Sequence, residues 1–398
     1  MKKKILAAMF ISVAILTGCR NEANSDVIMT IEPESSVSVG TEIPATPEVS
    51  EESTQPMANN MWKGVKIIKD RKIVDGKMQS YLTGEWKDAS VVQRRNFAVM
   101  VPNNKPALPQ YGISKASIFY EAPMESGSCT RLMPIVEDYD DLDHIGPVRS
   151  SREYFLYESQ SYDSIYCNWG LAVPYVAPTI NREDIHNVSQ AVTGIDSPST
   201  EAFDRISRPG YSLEFTGYMF ISGYKKAIER HKYDTNYRDT FEQAFIFADD
   251  GNKAEYSDYP DATLLKPGGD ASNSGGYNHA NPYFKYNPED GLYYRYQLGK
   301  PHTDDMNGEQ LAVSNVIFKV CHGEILDDHG YLGFEVHAIG GEAYIFTNGK
   351  VIKGNWNHVG DFGANHFYDD EGDEVVLNQG KTWICLIWDK YKDCVSYE

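Results

Sequence analysis

Basic residues are in short supply in this chain. Lys and Arg number 37 against 57 Asp and Glu, giving a net charge of −20 and a pI near 4.9. That balance argues against nucleic acid as a partner through a general basic surface, and against electrostatic attachment to an anionic membrane. Cysteine is scarce as well, six in 398 residues with no Cys-x-x-Cys pair. Cys19 belongs to the N-terminal segment, which leaves Cys129, Cys167, Cys321, Cys385 and Cys394. An odd number without close pairs excludes a zinc site and a disulfide framework. A single bridge between Cys385 and Cys394 across a C-terminal hairpin stays open. Cys167 lies in the apolar run Ile165-Tyr166-Cys167 and is expected as a small buried hydrophobe. The apolar run at 5–15 is too short to span a bilayer, and no stretch carries a cofactor fingerprint, so no cofactor is expected.

What the N-terminus does contain is specific. Lys2-Lys3-Lys4 precedes the apolar run, which closes on Leu16-Thr17-Gly18-Cys19. This segment (1–19) resembles a bacterial lipoprotein signal with its lipobox. The resemblance implies cleavage before Cys19, lipidation of its thiol, and retention on the outer face of the cytoplasmic membrane. The membrane is then a partner through lipid, since several acyl chains anchor where one does not. Residues 20–60 are rich in Glu, Ser, Thr and Pro and nearly free of aromatics. Such a stretch cannot bury enough surface to offset its ordering entropy, and it reads as a disordered acidic tether.

Order is expected from near Trp62. Short apolar runs at 97–101, 116–120, 132–136 and 164–168 suit buried strands. Helices are expected over 148–160, from near Asn181, and over 218–231, where Tyr218, Ile221, Tyr224, Ala227 and Ile228 share a face. Strands alternating with helices predict an α/β domain with a mixed sheet over 61–235. Beyond it, runs at 262–266, 283–286, 293–298, 315–322, 334–338, 343–347, 375–377 and 382–388 are separated by Gly, Asp and Pro turns. They predict a mostly antiparallel, β-rich domain over 236–398, with Asn348-Gly349 as a tight hairpin.

The stretch His144-Ile145-Gly146-Pro147-Val148-Arg149-Ser150-Ser151-Arg152 is the richest in chemistry. A Gly-Pro turn running into a helix would place Pro147, Arg149 and Arg152 in its first turn, both guanidinium groups on one face. Two cations there oppose the helix dipole, so an anion is expected beside them. That anion is either a carboxylate of the chain itself, the favoured reading, or a bound ligand.

Further matching residues carry a resemblance that covers most of the chain from about 80 to 390. Leu82-Thr83-Gly84, Ala98-Val99-Met100, Pro109-Gln110, Ser114-Lys115-Ala116, Tyr120-Glu121, Glu125 and Thr130-Arg131 lead into Gly146-Pro147-Val148-Arg149-Ser150 with Arg152. His302, Asp304, Gln310-Leu311, Asn315-Val316-Ile317 and Lys381-Thr382-Trp383-Ile384 continue it. In these residues the chain resembles the YerB-like bacterial lipoproteins, a family whose two-part domain is of unknown function. It departs from the family pattern at Pro102-Asn103, where Asp-Asn is usual. It also departs at Ser151 for Ala, Leu108 for Arg and Ser117 for Asp, and 212–216 lacks a common Pro-His-Asn triplet.

Ligands of α/β sheets sit beyond the carboxyl ends of strands. Glu121, Glu125, Arg131, Arg149 and Arg152 are therefore expected to gather in one crevice, with Asn103 and Ser150 as further ligand-binding residues. The arginines would take an anion. Glu121 and Glu125 are the candidate catalytic carboxylates, either an acid/base pair or simply the arginines' charge partners. Ser150 and Ser151 have no neighbouring His, which argues against a serine nucleophile. His302 with Asp304 is a weak metal candidate; His358 and His366 about Asp361 have no metal spacing. Trp356, Trp383 and Trp388 are expected in the core. The function that emerges is a lipid-anchored, extracytoplasmic, non-catalytic protein. It would bind an anionic cell-envelope component or an envelope protein. The alternative is a cell-wall hydrolase or transferase using a Glu acid/base beside the paired arginines. A scaffold with no pocket ligand is the third reading.

Overall fold

In the computed structural model the described residues are 61–398, Ala338 excepted. The signal segment, Cys19 and the acidic tether lie outside them. Strand residues outnumber helical ones by more than two to one, in mixed and antiparallel sheets.

The centre is one mixed sheet of eleven strands. In chain order these are β1 (Phe97–Val99), β2 (Val101–Pro102), β3 (Ile118–Pro123), β4 (Thr130–Val136), β5 (Ile165–Asn168) and β6 (Asn187–Ser189). They continue with β7 (Asn315–Cys321), β8 (Ile339–Thr347), β9 (Lys350–His358), β10 (Asn365–Asp369) and β11 (Thr382–Trp388). The spatial order is β6-β5-β1-β4-β3-β11-β7-β8-β9-β10, with β2 on β4. β11 runs parallel to both β3 and β7, so the last long strand is inserted between the two halves of the sequence. The expected boundary at 235/236 therefore corresponds to no break in this sheet. Residues from both sides of it share the two large apolar clusters. Burial on both faces explains why β3, β4, β7 and β11 are buried at every position and read as continuous apolar runs.

Three helices position the candidate sites: α1 (Glu153–Gln160), α2 (Val173–Ile180) and α3 (Ile221–His231). α1 begins at Glu153, later than the Val148 start its sequence pattern suggests. α2 ends where a helix was expected to begin; Pro174 stands in its first turn, where Pro costs little, and Pro178 lies inside it. The front of the predicted 218–231 helix is instead a strand, Gly217–Phe220. Asn348 and Gly349 both take positive φ, 52° and 70°, and close the hairpin of β8 and β9 with Thr347 opposite Lys350. The strands β9 and β10 were not anticipated, their sequences being Lys-, Asn- and His-rich. A separate six-stranded antiparallel sheet includes Tyr283–Asn287 and Leu292–Gln297. All five described cysteines are free, Cys385 being buried, so the open bridge to Cys394 is not formed.

Candidate functional site

Glu121 lies mid-sheet on β3 and is 0% exposed. A lone carboxylate at that depth would be driven to neutralise. Its charge is met by Arg295, also fully buried, whose Nη2 stands 2.6 Å from Oε2. Trp383 donates Nε1–H to the same oxygen at 3.1 Å. Oε1 accepts from Thr130 Oγ1 at 2.7 Å and from Asn103 Nδ2 at 3.1 Å. The Arg295 guanidinium sits 4.7 Å from the Phe284 ring centre and 4.6 Å from that of Trp383. Glu121 is therefore enclosed and its acceptor positions are engaged, a structural arrangement and not a general acid facing substrate. Asn103, expected at a ligand, is occupied by this carboxylate and is itself 2% exposed.

The arginine stretch is extended where a helix turn was expected. Arg149 donates its backbone N–H to Met100 O at 2.9 Å and receives Trp169 N–H at 3.1 Å; Ser151 N–H goes to Gly170 O at 2.8 Å. Those lateral bonds use the groups a helix would need, so α1 starts only after Arg152, which has φ −127° and ψ 150°. In an extended chain, residues three apart point to opposite sides. Arg152 pairs with Glu125, donates Nη1–H to Ser151 O at 2.7 Å, and lies 4.9 Å over the Tyr331 ring. Arg149 pairs instead with the exposed Glu214 at 3.1 Å. The five charges nominated from the sequence are thus divided among three places, and the expected single crevice is not formed.

Arg131 differs from its neighbours. It is 8% exposed, donates to Ser150 O through Nη1, and its Nε has no partner. Among the described residues no carboxylate pairs with it. Burial, with the Arg149 charge close by, pushes its pKa down to about 10. Ser150 is half-buried; Ser151 is buried, its hydroxyl 2.7 Å from Tyr166 OH.

Arg149 opens onto a hollow of about 390 Å³ whose other walls are Val148, Trp169, Arg205, Ser212, Leu213, Glu214 and Gly217. Gly217 lets Trp169 approach: a Cβ there would stand 2.6 Å from the ring. Arg205 lies 4.6 Å over the Trp169 ring and bonds Thr216 Oγ1 at 3.1 Å, with no carboxylate partner among the described residues. Neither Trp169 nor Arg205 was singled out from sequence. Trp169 follows directly after β5, at the strand end where the rule for sheet ligands points. Arg205 carried no local signal.

The metal candidates serve the backbone. Asp304 accepts N–H groups from Gly112 at 2.8 Å, Ser114 at 2.6 Å and Met306 at 2.8 Å. His302 meets Gln110 Oε1 at 2.9 Å through Nε2, and burial beside Arg295 pushes its pKa well down. Together they fasten the loop at 110–114 to the loop at 302–306. Among the described residues, the carboxylates close enough to share a cation are Asp369, Glu371 and Asp373. Lys63 Nζ already stands among them at 2.8, 2.8 and 3.0 Å.

These two arrangements, one buried and one open, lie within regions that match known sequences. Residues 82–234 match the family described as "Protein of unknown function (DUF3048) N-terminal domain", and 274–384 match its C-terminal domain. The chain belongs to this family. It is 28% identical over 319 residues to the Bacillus subtilis protein named "Putative lipoprotein YerB", covering 79% of this chain and 87% of that one. The crystal structure of YerB protein from Bacillus subtilis aligns with a TM-score of 0.65 at 26% identity, over 80% of this chain and 99% of the other. Glu121 and Arg295 fall in the two different family domains, so their ion pair joins the two matched parts.

Proposed function

We propose that this is a lipid-anchored binding protein of the cell envelope. Cys19 carries the lipid, and the hollow at Arg149, Arg205 and Trp169 holds an anionic group of an envelope component. The observation that carries the reading is the charge count around Arg131. Arg149 and Arg205 line the hollow with one carboxylate, Glu214, which pairs with Arg149, and the buried Arg131 adds a further unpaired charge close to Arg149, so the cluster is short of negative charge. An anion entering the hollow would relieve the repulsion between Arg149 and Arg131, and the Arg205 and Arg149 forks suit a carboxylate, phosphate or sulfate. Lipid anchoring rests on the Leu16-Thr17-Gly18-Cys19 resemblance and on the Bacillus relative's name. Among the described residues no helix is long and apolar enough to cross a membrane. A hydrolase using Glu121 has the burial of that carboxylate against it.

Melting the protein with sulfate, phosphate and a soluble wall fragment tests the binding site. Wild type should be stabilised, by about 2.7 kcal/mol at a hundredfold excess over Kd. Arg149→Ala and Arg205→Ala should melt as wild type does without anion and lose the shift. A wild type indifferent to every anion ends this reading. Fatty-acid labelling that marks wild type and Cys19→Ala equally would end the lipid assignment.

A further inference from the structure

A second hollow lies on the opposite side of the arginine stretch, between the N-terminal turn of α1, the start of α2, and a hairpin of Gly323–Ile325 with Leu332–Phe334. Its volume is about 180 Å³, the size of a small polar group with a short stem. The hairpin register decides what faces it. Glu324 pairs with Gly333, and the Glu335 N–H bonds His322 O at 2.9 Å. Side chains alternate along a strand, so His322, Glu324, Gly333 and Glu335 share one face. Gly333 contributes no side chain, and the Leu326 side chain packs over it, 3.0 Å from where a Cβ would stand, so the floor beside Glu324 is apolar. Glu324 and Glu335 are exposed, and neither has a hydrogen-bond or ion-pair partner among the described residues.

The facing wall is aromatic. Tyr157 stacks on His337 with ring centres 3.6 Å apart; Tyr175 packs edge-on to Tyr331 at 5.8 Å. Arg152 already lies over Tyr331, so one ring of this wall holds a cation of the chain itself. Arg152 is 7% exposed, lines the hollow, and keeps an Nε–H without a partner. Its charge is met by Glu125, outside the hollow, and His322 is held by Asp389 at 2.8 Å. Two unpaired carboxylates lining the same hollow as an aromatic wall suit an ammonium group, and the unpartnered Nε–H of Arg152 suits a carbonyl oxygen.

We infer that this hollow is a second binding site, specific for a peptide-borne ammonium, either a lysine-type side chain or an amino terminus next to an amide. It is separate from the anion hollow, because Arg149 and Arg152 point to opposite sides of one extended segment. Two sites of opposite preference would let one protein hold a component carrying both charges.

Calorimetric titration with Nα-acetyl-lysine amide and with its uncharged counterpart Nα-acetyl-norleucine amide tests the site. The lysine probe should bind, and the norleucine probe should bind roughly tenfold or more weakly. The double substitution Glu324→Gln with Glu335→Gln, both at exposed positions, should leave the melting temperature unchanged and weaken the lysine probe by a similar factor. Arg149→Ala should leave that binding as in wild type, which separates this site from the anion hollow. Equal affinity for the two probes, no binding of the lysine probe at tens of millimolar (roughly, the weakest affinity of use), or full binding by the double variant would each overturn the inference.

Discussion

The Glu121–Arg295 centre and the Arg149–Arg205 hollow are built from the same parts: arginine, carboxylate and an indole ring. They differ in exposure and in charge count. At the centre both charged side chains are fully buried, and three further donors complete the carboxylate. At the hollow the Arg149 and Glu214 side chains remain 26% and 46% exposed, and two neighbouring arginines have no acid at all. Water screens the Arg149–Glu214 pair, so loss of either partner is tolerable there, whereas an unmatched charge would be ruinous at the first. A fully buried ion pair, even with Arg295 Nε and Nη1 left without partners, marks a residue that holds the sheet. An incomplete one at the surface marks a residue free to meet something else.

Breaking the centre should have the largest effect. Glu121→Gln leaves Arg295 charged and unpaired and should lower stability by about 3–5 kcal/mol in urea unfolding. Adding Arg295→Met to it should recover part of the loss. A single variant as stable as wild type would erase the contrast between the two regions. Next comes Asp304→Ala, which strands three backbone donors and should cost about 1–3 kcal/mol. A chelator should do nothing comparable to wild type; if it did, Asp304 would be a metal ligand after all.

A smaller, pH-dependent loss is expected from His358. It is buried, Nδ1 meets Val336 O at 2.8 Å, and burial pushes its pKa down to about 4. The unfolded chain takes up that proton near pH 6.5, roughly the ordinary histidine value. The contribution is therefore complete above about pH 6.5 and drains away as pH falls towards 4. His358→Gln should flatten the wild-type loss of melting temperature across that window; an unchanged slope would show that other groups carry it. The smallest effect sharpens the comparison from the other side. Arg149→Ala without anion should change stability by no more than about 0.5 kcal/mol. A loss like that of Glu121→Gln would make the hollow structural as well.

Local pattern alone located the pieces whose causes are local. The apolar runs of β1, β3, β4, β5, β7 and β11, the Asn348-Gly349 turn, and the core placement of Trp356, Trp383 and Trp388 were all legible, because burial and turn chemistry leave short-range marks. The 144–152 stretch stood out in sequence for its paired arginines, but its conformation was not legible. Val148 to Arg152 have acceptable helix propensity, and only the lateral bonds to Met100 and Gly170 hold them extended. Those partners lie at the ends of other strands, far off in sequence. The same holds for Glu121, whose expected charge partners were Arg131, Arg149 and Arg152 but whose partner, Arg295, lies 174 residues away. It holds as well for the pairing of β11 with β3, which carries one sheet across the boundary expected at 235. Hydrophobic period and turn residues are properties of a few neighbours in sequence. Which carboxylate meets which arginine depends on strand order, and strand order is settled only when the whole sheet closes.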